Sequence, residues 1–491
     1  MDYSQFSTMI PELIVLGIFI LVFLYDTFAG SGARKADGIL TTVLFGLGTV
    51  AIFFAGTVPQ ECFGGMYVSN SITLALKSIL NIGVFIVLIQ SLKWTDSDDM
   101  TLRRGEFYEL LLATLFGMYL MISARHFLLF VIGLETASLP LAALIAFNKK
   151  HYESTEAAAK YIMTAVFSSA VLMMGLSFVY GLSGGSLYYN DVAAAVAGGE
   201  MSGMLIVALT FVLAGIGFKL SLVPFHLWTA DVYQGAPTSV TSYLSVISKG
   251  SAAFAFFVIF VQAFGAAYPE AWEWMLYGII IITITVGNLF AIRQKNMKRF
   301  MAFSSVSQAG YIMLGVIAAN SIGMASMLFY ILVYIFSNLG AFGVIQAIEN
   351  QSGKLSMGDY RGLHKSNPWL AFAMTLAMFS LAGIPPFAGF FSKILIFTSV
   401  TASNSMALYM LVLIALINTI ISLYYYLLVV KAMWISPEEP VVPQFRSALS
   451  ERVGLWICVA GIVFIGLLSP IYQLLTDASV ADATQLFAWL G

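Results

Sequence analysis

The sequence has little charge and almost no cysteine. Charged residues make up 10% of its 491 positions, whereas soluble proteins carry about 25%. There are 23 lysines and arginines against 25 aspartates and glutamates, so there is no basic excess to neutralise nucleic-acid phosphates. Cys62 and Cys458 are the only cysteines, which excludes a disulfide scaffold. The composition therefore argues against a nucleic-acid-binding protein and against a small disulfide-stabilised domain.

Metal-ligand motifs and a cleavable signal are also missing. The chain has four histidines and no CxxC, HExxH or paired-histidine motif, so we expect no haem, iron–sulfur cluster or structural zinc within it. A signal peptide needs a basic segment before its apolar core. The first basic residue, Arg34, instead follows the first apolar stretch, so we interpret that stretch as a retained membrane helix.

Apolar residues dominate what remains. They form 60% of the chain, and the mean hydropathy is +0.90. The apolar stretches approach the length of about 20 residues that spans a bilayer. We therefore predict an all-α polytopic membrane protein with about 14 transmembrane helices. The predicted spans cover residues 10–29, 38–57, 72–92, 106–123, 126–146, 156–182, 202–230, 238–264, 272–291, 301–319, 322–349, 367–398, 406–435 and 452–475.

The basic residues indicate the orientation of these spans. Sixteen of the 23 lie in loops that follow odd-numbered spans, and only Arg125 lies in the opposite loops. Basic loops remain on the cytoplasmic side. The pattern predicts that both termini lie on the outer side.

Two charged residues in the first half of the chain lie within apolar stretches. Glu135 is central in FLLFVIGLETASLPLAALI, and Lys219 lies five residues before Pro224 in LAGIGFKLSLVPFHLW. A charged group at the centre of a membrane helix costs about 2.5–3.5 kcal/mol. A proline also breaks the helix, which is tolerated only in protein interior or beside a water-filled cavity. The two residues are candidates for coupled proton transfer. Alternatively, they neutralise each other for packing.

Two further lysines are similarly placed. Lys249 ends a helical face of hydroxyl residues that includes Thr241, Ser245 and Ser248, which is typical of a hydrated path. The same hydroxyls could instead join neighbouring helices. Lys393 follows the Pro385–Pro386 break in LAGIPPFAGFFSKILIF, where it could carry protons or reach the membrane surface.

Lys160 and His226 are further candidates. Lys160 lies early in its span and could extend its amine to the surface. His226 closely follows Pro224 and could relay protons near neutral pH, although a lone histidine is more often packed and hydrogen-bonded.

Four long motifs carry a specific resemblance over nearly the whole chain. The sequence resembles the antiporter-like membrane subunits of respiratory complex I, a proton-pumping NADH:quinone oxidoreductase, which are related to cation/proton antiporter subunits of the Mrp type. It lacks the extra C-terminal length of the largest of these three subunits. It has lysine at position 393, where the middle-sized subunit usually has glutamate, so it resembles the third subunit most. The motifs are GLETASLPLAALIA, FKLSLVPFHLWTADVYQGAPTSVTSYLSVISK, KRFMAFSSVSQAGY and LAGIPPFAGFFSK.

The resemblance implies inverted repeats of five helices, each with a broken helix, the seventh and the twelfth of the chain. It implies a three-helix segment at 1–105, a first repeat at 106–264, a second repeat at 265–435, and a C-terminal loop and last helix at 436–491. Many relatives carry histidine where this chain has Gln308, although the third subunit varies there. Because glutamine does not titrate, this departure argues against a relay that needs a titrating group at position 308.

The resemblance also implies roles and partners. Glu135 and Lys219 would be the coupled pair, Lys249 the central proton carrier, and Lys393 the residue that loads or releases the proton. This chain would hold no cofactor. The quinone, NADH, FMN and iron–sulfur clusters would belong to partner subunits. Partners would be other membrane subunits of the complex, including antiporter-like neighbours and small helical subunits, in the lipid bilayer of a bacterial inner membrane, with no nucleic acid.

Two other function classes remain open from the sequence. One is a stand-alone or Mrp-type cation/proton antiporter subunit, which sodium transport would favour. The other is a helical scaffold inside a complex, in which the buried charges serve only packing. Neutral substitutions at Lys219 and Lys249 discriminate between the scaffold and a proton path.

Overall fold

The computed structural model describes residues 3–30, 36–54, 60–97, 100, 103–198, 202–267, 271–435, 439–467 and 469–483. Thirteen helices in this part of the chain are long and apolar enough to cross a membrane, and two shorter apolar helices follow each other along the chain. We count these two as the halves of one further, broken span. The prediction of about 14 transmembrane helices is confirmed. The spans are Gln5–Phe28, Asp37–Phe54, Ser71–Thr95, Arg104–Ser123, Phe127–Ile145, Tyr152–Leu182, Gly203–Leu220, Thr238–Ala263, Trp272–Ile292, Met297–Ile317, Ser321–Ser352, the pair Pro368–Ala382 and Ala388–Thr401, then Met406–Ile435 and Leu449–Leu467.

The elements between the spans are short. Two antiparallel strands, Gln60–Cys62 and Tyr67–Ser69, form a hairpin that the sequence analysis did not predict. A helix at Tyr189–Gly198 lies within the predicted loop 183–201. The end of the second predicted span, residues 55–57, lies outside the described residues. The remaining helices are Tyr3–Met9, Leu227–Gly235, Gly265–Ala267, Met357–Tyr360, Leu363–Ser366 and Ser469–Ala481.

The seventh and twelfth spans are both interrupted, as predicted. The seventh ends at Leu220 and the chain resumes as the helix Leu227–Gly235. The twelfth ends its first half at Ala382 and resumes at Ala388. Each break contains a cis proline, Pro224 in one and Pro386 in the other.

The two halves of the chain share a packing pattern. The fourth and fifth spans pack against each other, and so do the ninth and tenth. A Cβ atom at Gly117 would meet the backbone of the fifth span, and one at Gly287 would lie 2.6 Å from the backbone nitrogen of Ser307 in the tenth. These glycines therefore allow a close approach of helix backbones at corresponding places.

The eighth, tenth and eleventh spans form the centre of the molecule. Burial is nearly complete along the apolar windows of these three helices, whereas about a third of the corresponding windows of the sixth and thirteenth is buried. The outer spans thus carry the exposed apolar surface of the chain, and polar residues on the central helices are enclosed by the other spans.

Candidate functional site

Lys219 lies at the end of the first half of the broken seventh span. Its ammonium donates to Ser138 Oγ at 2.8 Å and to Tyr161 Oη at 3.0 Å, and the side chain is buried. Glu135, one helical turn before Ser138, accepts a hydrogen bond from Ser169 at 2.5 Å. No described carboxylate lies within 4.0 Å of Lys219. The expected Glu135–Lys219 pair is therefore linked through one helix rather than joined in a direct ion pair.

The helix break fixes the position of Lys219. Ser221 ends the helix with a φ of 61°, and the indole nitrogen of Trp228 in the second half donates to the carbonyl of Phe218 at 3.1 Å. The two half-helices are thus tied together across the break, and one freed carbonyl is satisfied. This arrangement holds the lysine at the end of an ordered half-helix.

Lys249 lies at the centre of the bundle, directly after a π-helical segment, Leu244–Ser248, in the eighth span. Its ammonium donates to Ser305 Oγ at 2.7 Å and to the Ser305 carbonyl at 3.2 Å. The ring centroid of Tyr233 lies 5.7 Å away. The lysine is 1% exposed. Its partners among the described residues are neutral, and π-helical turns often occur at functional sites.

The hydroxyls that precede Lys249 donate mainly to backbone carbonyls. Ser245 donates to the carbonyl of Ser242, and Thr241 donates to Tyr233 O and Pro237 O. Ser248 Oγ has no hydrogen-bond partner among the described residues. The hydroxyls next to Lys249 thus differ: Ser245 also accepts from Asn338 in the eleventh span, whereas Ser248 is uncommitted.

Lys393 lies in the second half of the broken twelfth span and reaches back to the first half. Its ammonium donates to the carbonyls of Leu381 at 2.9 Å and Ala382 at 3.0 Å. These carbonyls end a helix and carry the negative end of its dipole. Tyr311 places its ring centroid 5.1 Å from the ammonium. The broken helix therefore supplies partial negative charge to a buried cation without a carboxylate.

Gln308 connects the surroundings of Lys249 and Lys393. Its amide donates to the Leu381 carbonyl at 3.3 Å and to Tyr426 Oη at 3.1 Å, and it accepts from Tyr330. Tyr426 in turn shares a 2.5 Å hydrogen bond with Ser304, the neighbour of Ser305. Polar groups thus run from one lysine to the other. A cavity of about 10 Å³ beside Lys393, Gln308 and Tyr330 has room for about one water molecule.

The structure places Lys160 and His226 differently from these central residues. Lys160 is half-exposed and pairs with Glu156 at 2.8 Å and with Asp231 at 2.7 Å. Asp231 also pairs with Arg299 at 2.6 Å. His226 is buried, and its Nδ1 has no hydrogen-bond partner among the described residues. Asp231, which the sequence pattern does not single out, holds the Lys160 and Arg299 charges together.

A surface cavity of about 400 Å³ lies at the start of the eighth span. Thr238 and Ser239 line it together with Lys298 and Glu349, which form an ion pair at 3.5 Å. Lys249 lies eleven residues further along the helix, roughly 16 Å at 1.5 Å per residue. Water can therefore approach the lysine from this end of the bundle to within about three helical turns.

The structure also contains a buried ion pair that the sequence analysis missed. Lys77 in the third span lies 2.6 Å from Glu12 in the first, and both are 1% exposed. Tyr67 donates to the same carboxylate at 2.9 Å, and Lys77 donates to Ser123 at 2.8 Å. Its position seven residues into a 25-residue helix could have identified Lys77. Among the described residues, no cluster of three or more His, Cys, Asp or Glu could hold a metal ion.

Comparison with known proteins supports one family. The family model described as NADH:quinone oxidoreductase/Mrp antiporter, TM, matches residues 124–422. The NADH-quinone oxidoreductase subunit N of Phocaeicola vulgatus is 50% identical and covers 98% of this chain and 100% of that protein. The NAD(P)H-quinone oxidoreductase subunit 2 of Acaryochloris marina is 33% identical, with 97% and 92% covered.

Solved structures show the same fold. A chain of respiratory complex I from Thermus thermophilus with bound Aureothin is 28% identical, with a TM-score of 0.76 over 97% of this chain and 98% of that one. A chain of the Mrp complex from Dietzia has a TM-score of 0.85 over the full length of both chains at 20% identity. That second likeness concerns the fold alone.

Proposed function

The chain belongs to the NADH-quinone oxidoreductase subunit N family, and we propose that it moves protons through a buried path built from Glu135, Lys219, Lys249 and Lys393. In that role it is the proton-translocating membrane-arm subunit of an NADH:quinone oxidoreductase and carries out no redox chemistry itself. Quinone reduction elsewhere in the complex drives the transfer.

One observation carries this proposal. Lys219, Lys249 and Lys393 are each at most 4% exposed, and no described carboxylate lies within 4.0 Å of any of them. A packing role favours paired charges, because an unpaired buried charge is costly. Lysines held only by hydroxyls and carbonyls can exist with or without the proton, since their ligands accommodate either state.

The contacts suggest an order for the transfer. Protons reach Lys249 from the cavity at Thr238 and Ser239, and they pass to Lys393 along the polar groups around Ser304, Tyr426 and Gln308. Glu135 and Lys219 set the electrostatic potential at Lys249, because a charge change at one site alters the cost of charging the next. Lys160 and His226 act at the margins, Lys160 in the charge cluster beside the surface cavity and His226 between the half-helices of the seventh span.

The organisation of the chain follows from this path. We propose the segments 1–105, 106–264, 265–435 and 436–491 as the N-terminal helices, the two repeats and the C-terminal part. Both termini lie on the periplasmic side of a bacterial inner membrane. Antiporter-like and small helical membrane subunits are the partners, and NADH, FMN, quinone and iron–sulfur clusters belong to other subunits.

The test is Lys249→Met in the intact complex. We expect NADH-driven proton pumping in proteoliposomes to fall by about tenfold or more, since a positioned proton carrier contributes at least that factor. Lys431→Met, which removes an exposed lysine, is the matched control and leaves pumping unchanged.

Assembly is measured in parallel by co-purification. Pumping that persists in Lys249→Met with assembly intact contradicts the proposal and favours the scaffold function. A Lys249-dependent sodium flux would instead favour a cation/proton antiporter.

A further inference from the structure

A second cavity, of about 440 Å³, lies at the surface between the start of the twelfth span and the start of the fourteenth. The helices Pro368–Ala382 and Leu449–Phe464 both begin there. The loop before the last span forms its rim with Gln444, Phe445, Arg446 and Ser447. The proton path does not use this cavity.

The lining of the cavity is basic. Arg446 and Arg452 both line it, and no aspartate or glutamate in the described part of the chain does. The nearest acidic residue along the chain, Glu451, is committed elsewhere, because it accepts hydrogen bonds from Asn350 and from the backbone of Ala448. The two helix N-termini add further positive potential at the same place. The cavity is therefore suited to an anion.

Two donors in the cavity wall lack acceptors. Arg452 Nε and Trp369 Nε1 are buried, and neither has a hydrogen-bond partner among the described residues. Buried donors are normally satisfied in a folded protein. Both residues line the cavity, so an anionic oxygen bound there would supply the missing acceptors once either side chain turns its donor towards it.

The surface next to the cavity is apolar. Leu449, Val453 and Trp456 are exposed at helical spacing along the last span, and Phe372 is exposed on the twelfth. Trp456 also stacks on Trp369, with ring centroids 4.1 Å apart. Tryptophan at this level is typical of the membrane–water interface. These exposed residues form an apolar stripe beside the cavity. A molecule that fits both features has an anionic headgroup in the cavity and acyl chains against the stripe.

We propose that this cavity binds the phosphate headgroup of an anionic phospholipid. The basic loops that border it, which contain Lys354, Arg361 and Lys365 as well as Arg446, are those expected on the cytoplasmic side. Basic pockets between membrane helices on that side bind anionic headgroups. The apolar stripe favours a lipid over free phosphate, and it also favours a lipid over an acidic segment of a partner subunit.

The test uses a thiol placed in the cavity. Ser447→Cys is introduced after Cys62→Ser and Cys458→Ala, and the complex is reconstituted in phosphatidylcholine nanodiscs with increasing phosphatidylglycerol. We expect phosphatidylglycerol to slow modification of the thiol by N-ethylmaleimide. Arg446→Gln with Arg452→Gln should raise the phosphatidylglycerol content needed for half-protection about 25-fold, because each arginine near a membrane surface contributes about a factor of five.

Matched controls separate this site from general effects. Arg293→Gln removes an exposed arginine outside the cavity and leaves protection unchanged. Lys149→Cys reports the effect of surface charge on an exposed thiol outside the cavity. The variants are compared only where the complex co-purifies intact.

Three results overturn the proposal. The first is equal protection in the double-glutamine variant. The second is protection by inorganic phosphate in pure phosphatidylcholine to the same extent, which identifies a free-anion site. The third is a thiol that is unreactive in every lipid composition, which shows that a partner subunit fills the cavity.

Discussion

Lys393 illustrates how a buried lysine can be held without a carboxylate. Its ammonium is bound by the carbonyls of Leu381 and Ala382, and Lys249 is held by Ser305 in a similar way. Lys77, by contrast, has a full ion pair with Glu12. The partners divide the buried lysines of the described residues into two classes. Lys219, Lys249 and Lys393 are held by neutral groups, and we propose that these release a proton. Lys77 and Lys298 each have a carboxylate partner.

The paired class leads to a stability prediction. Lys77→Met leaves Glu12 buried without its counter-charge, and breaking a buried pair in this way costs about 3–5 kcal/mol. We expect the thermal unfolding temperature of the purified complex to fall. The double variant Glu12→Gln with Lys77→Met removes both charges and should recover most of the loss. A double variant that is no more stable than Lys77→Met would contradict this account.

A second residue-scale prediction concerns Gln308. Gln308→Leu removes the acceptor of the buried Tyr330 hydroxyl, which costs about 1–3 kcal/mol, so both the unfolding temperature and the pumping rate should fall. Gln308→His replaces the amide with another polar side chain that can accept a hydrogen bond, so this variant should pump at nearly the original rate. A marked increase in pumping by the histidine variant would mean that a titrating group at this position carries protons, against the bridging role inferred here.

At the scale of the element, the broken helix depends on Gly383. Its φ is +85°, and a Cβ atom there would lie 3.0 Å from Cδ of Lys393. Gly353 also has a positive φ, +66°, but a Cβ atom there would meet nothing within 4 Å. Both glycines thus adopt a left-handed backbone conformation, but only a side chain at position 383 would contact Lys393.

This difference gives a matched pair of substitutions. Gly383→Ala and Gly353→Ala both force alanine into the left-handed region at a cost of about 1–2 kcal/mol. Only Gly383→Ala also displaces Lys393, so we expect proton pumping to fall in that variant and to be retained in Gly353→Ala, with similar changes in unfolding temperature. Equal pumping by the two variants would show that the position of Lys393 does not limit transfer.

The elements also show what the sequence could and could not predict. Hydropathy located the spans, and the prolines located both breaks, because each signal is local along the chain. The hydrogen-bond partners of the lysines could not be predicted from the sequence. Ser305, for example, lies 56 residues from Lys249, and only the packing of the eighth and tenth spans brings the two together. The partner of Lys77 could not be predicted for the same reason, because Glu12 is 65 residues away along the chain.

At the scale of the whole molecule, the distribution of basic residues predicts the orientation. Loops after odd-numbered spans hold sixteen lysines and arginines, and the opposite loops hold one. Such an asymmetry retains the basic loops in the cytoplasm. The same asymmetry predicts that the surface cavity at Thr238 and the charge cluster around Asp231 lie on the cytoplasmic side, where the proposed path takes up protons.

Labelling of single cysteines in intact cells tests this orientation. In a background with Cys62→Ser and Cys458→Ala, Lys149→Cys lies after the fifth span and Ser403→Cys after the twelfth, and both positions are exposed. A membrane-impermeant maleimide added outside should label position 403 and not position 149, whereas inverted vesicles should give the opposite result. The opposite pattern in cells would place the cavity at Thr238 on the outer side. Uptake from the cytoplasm would then have to start at Lys393, so the direction assigned to the Lys249–Lys393 path would be reversed.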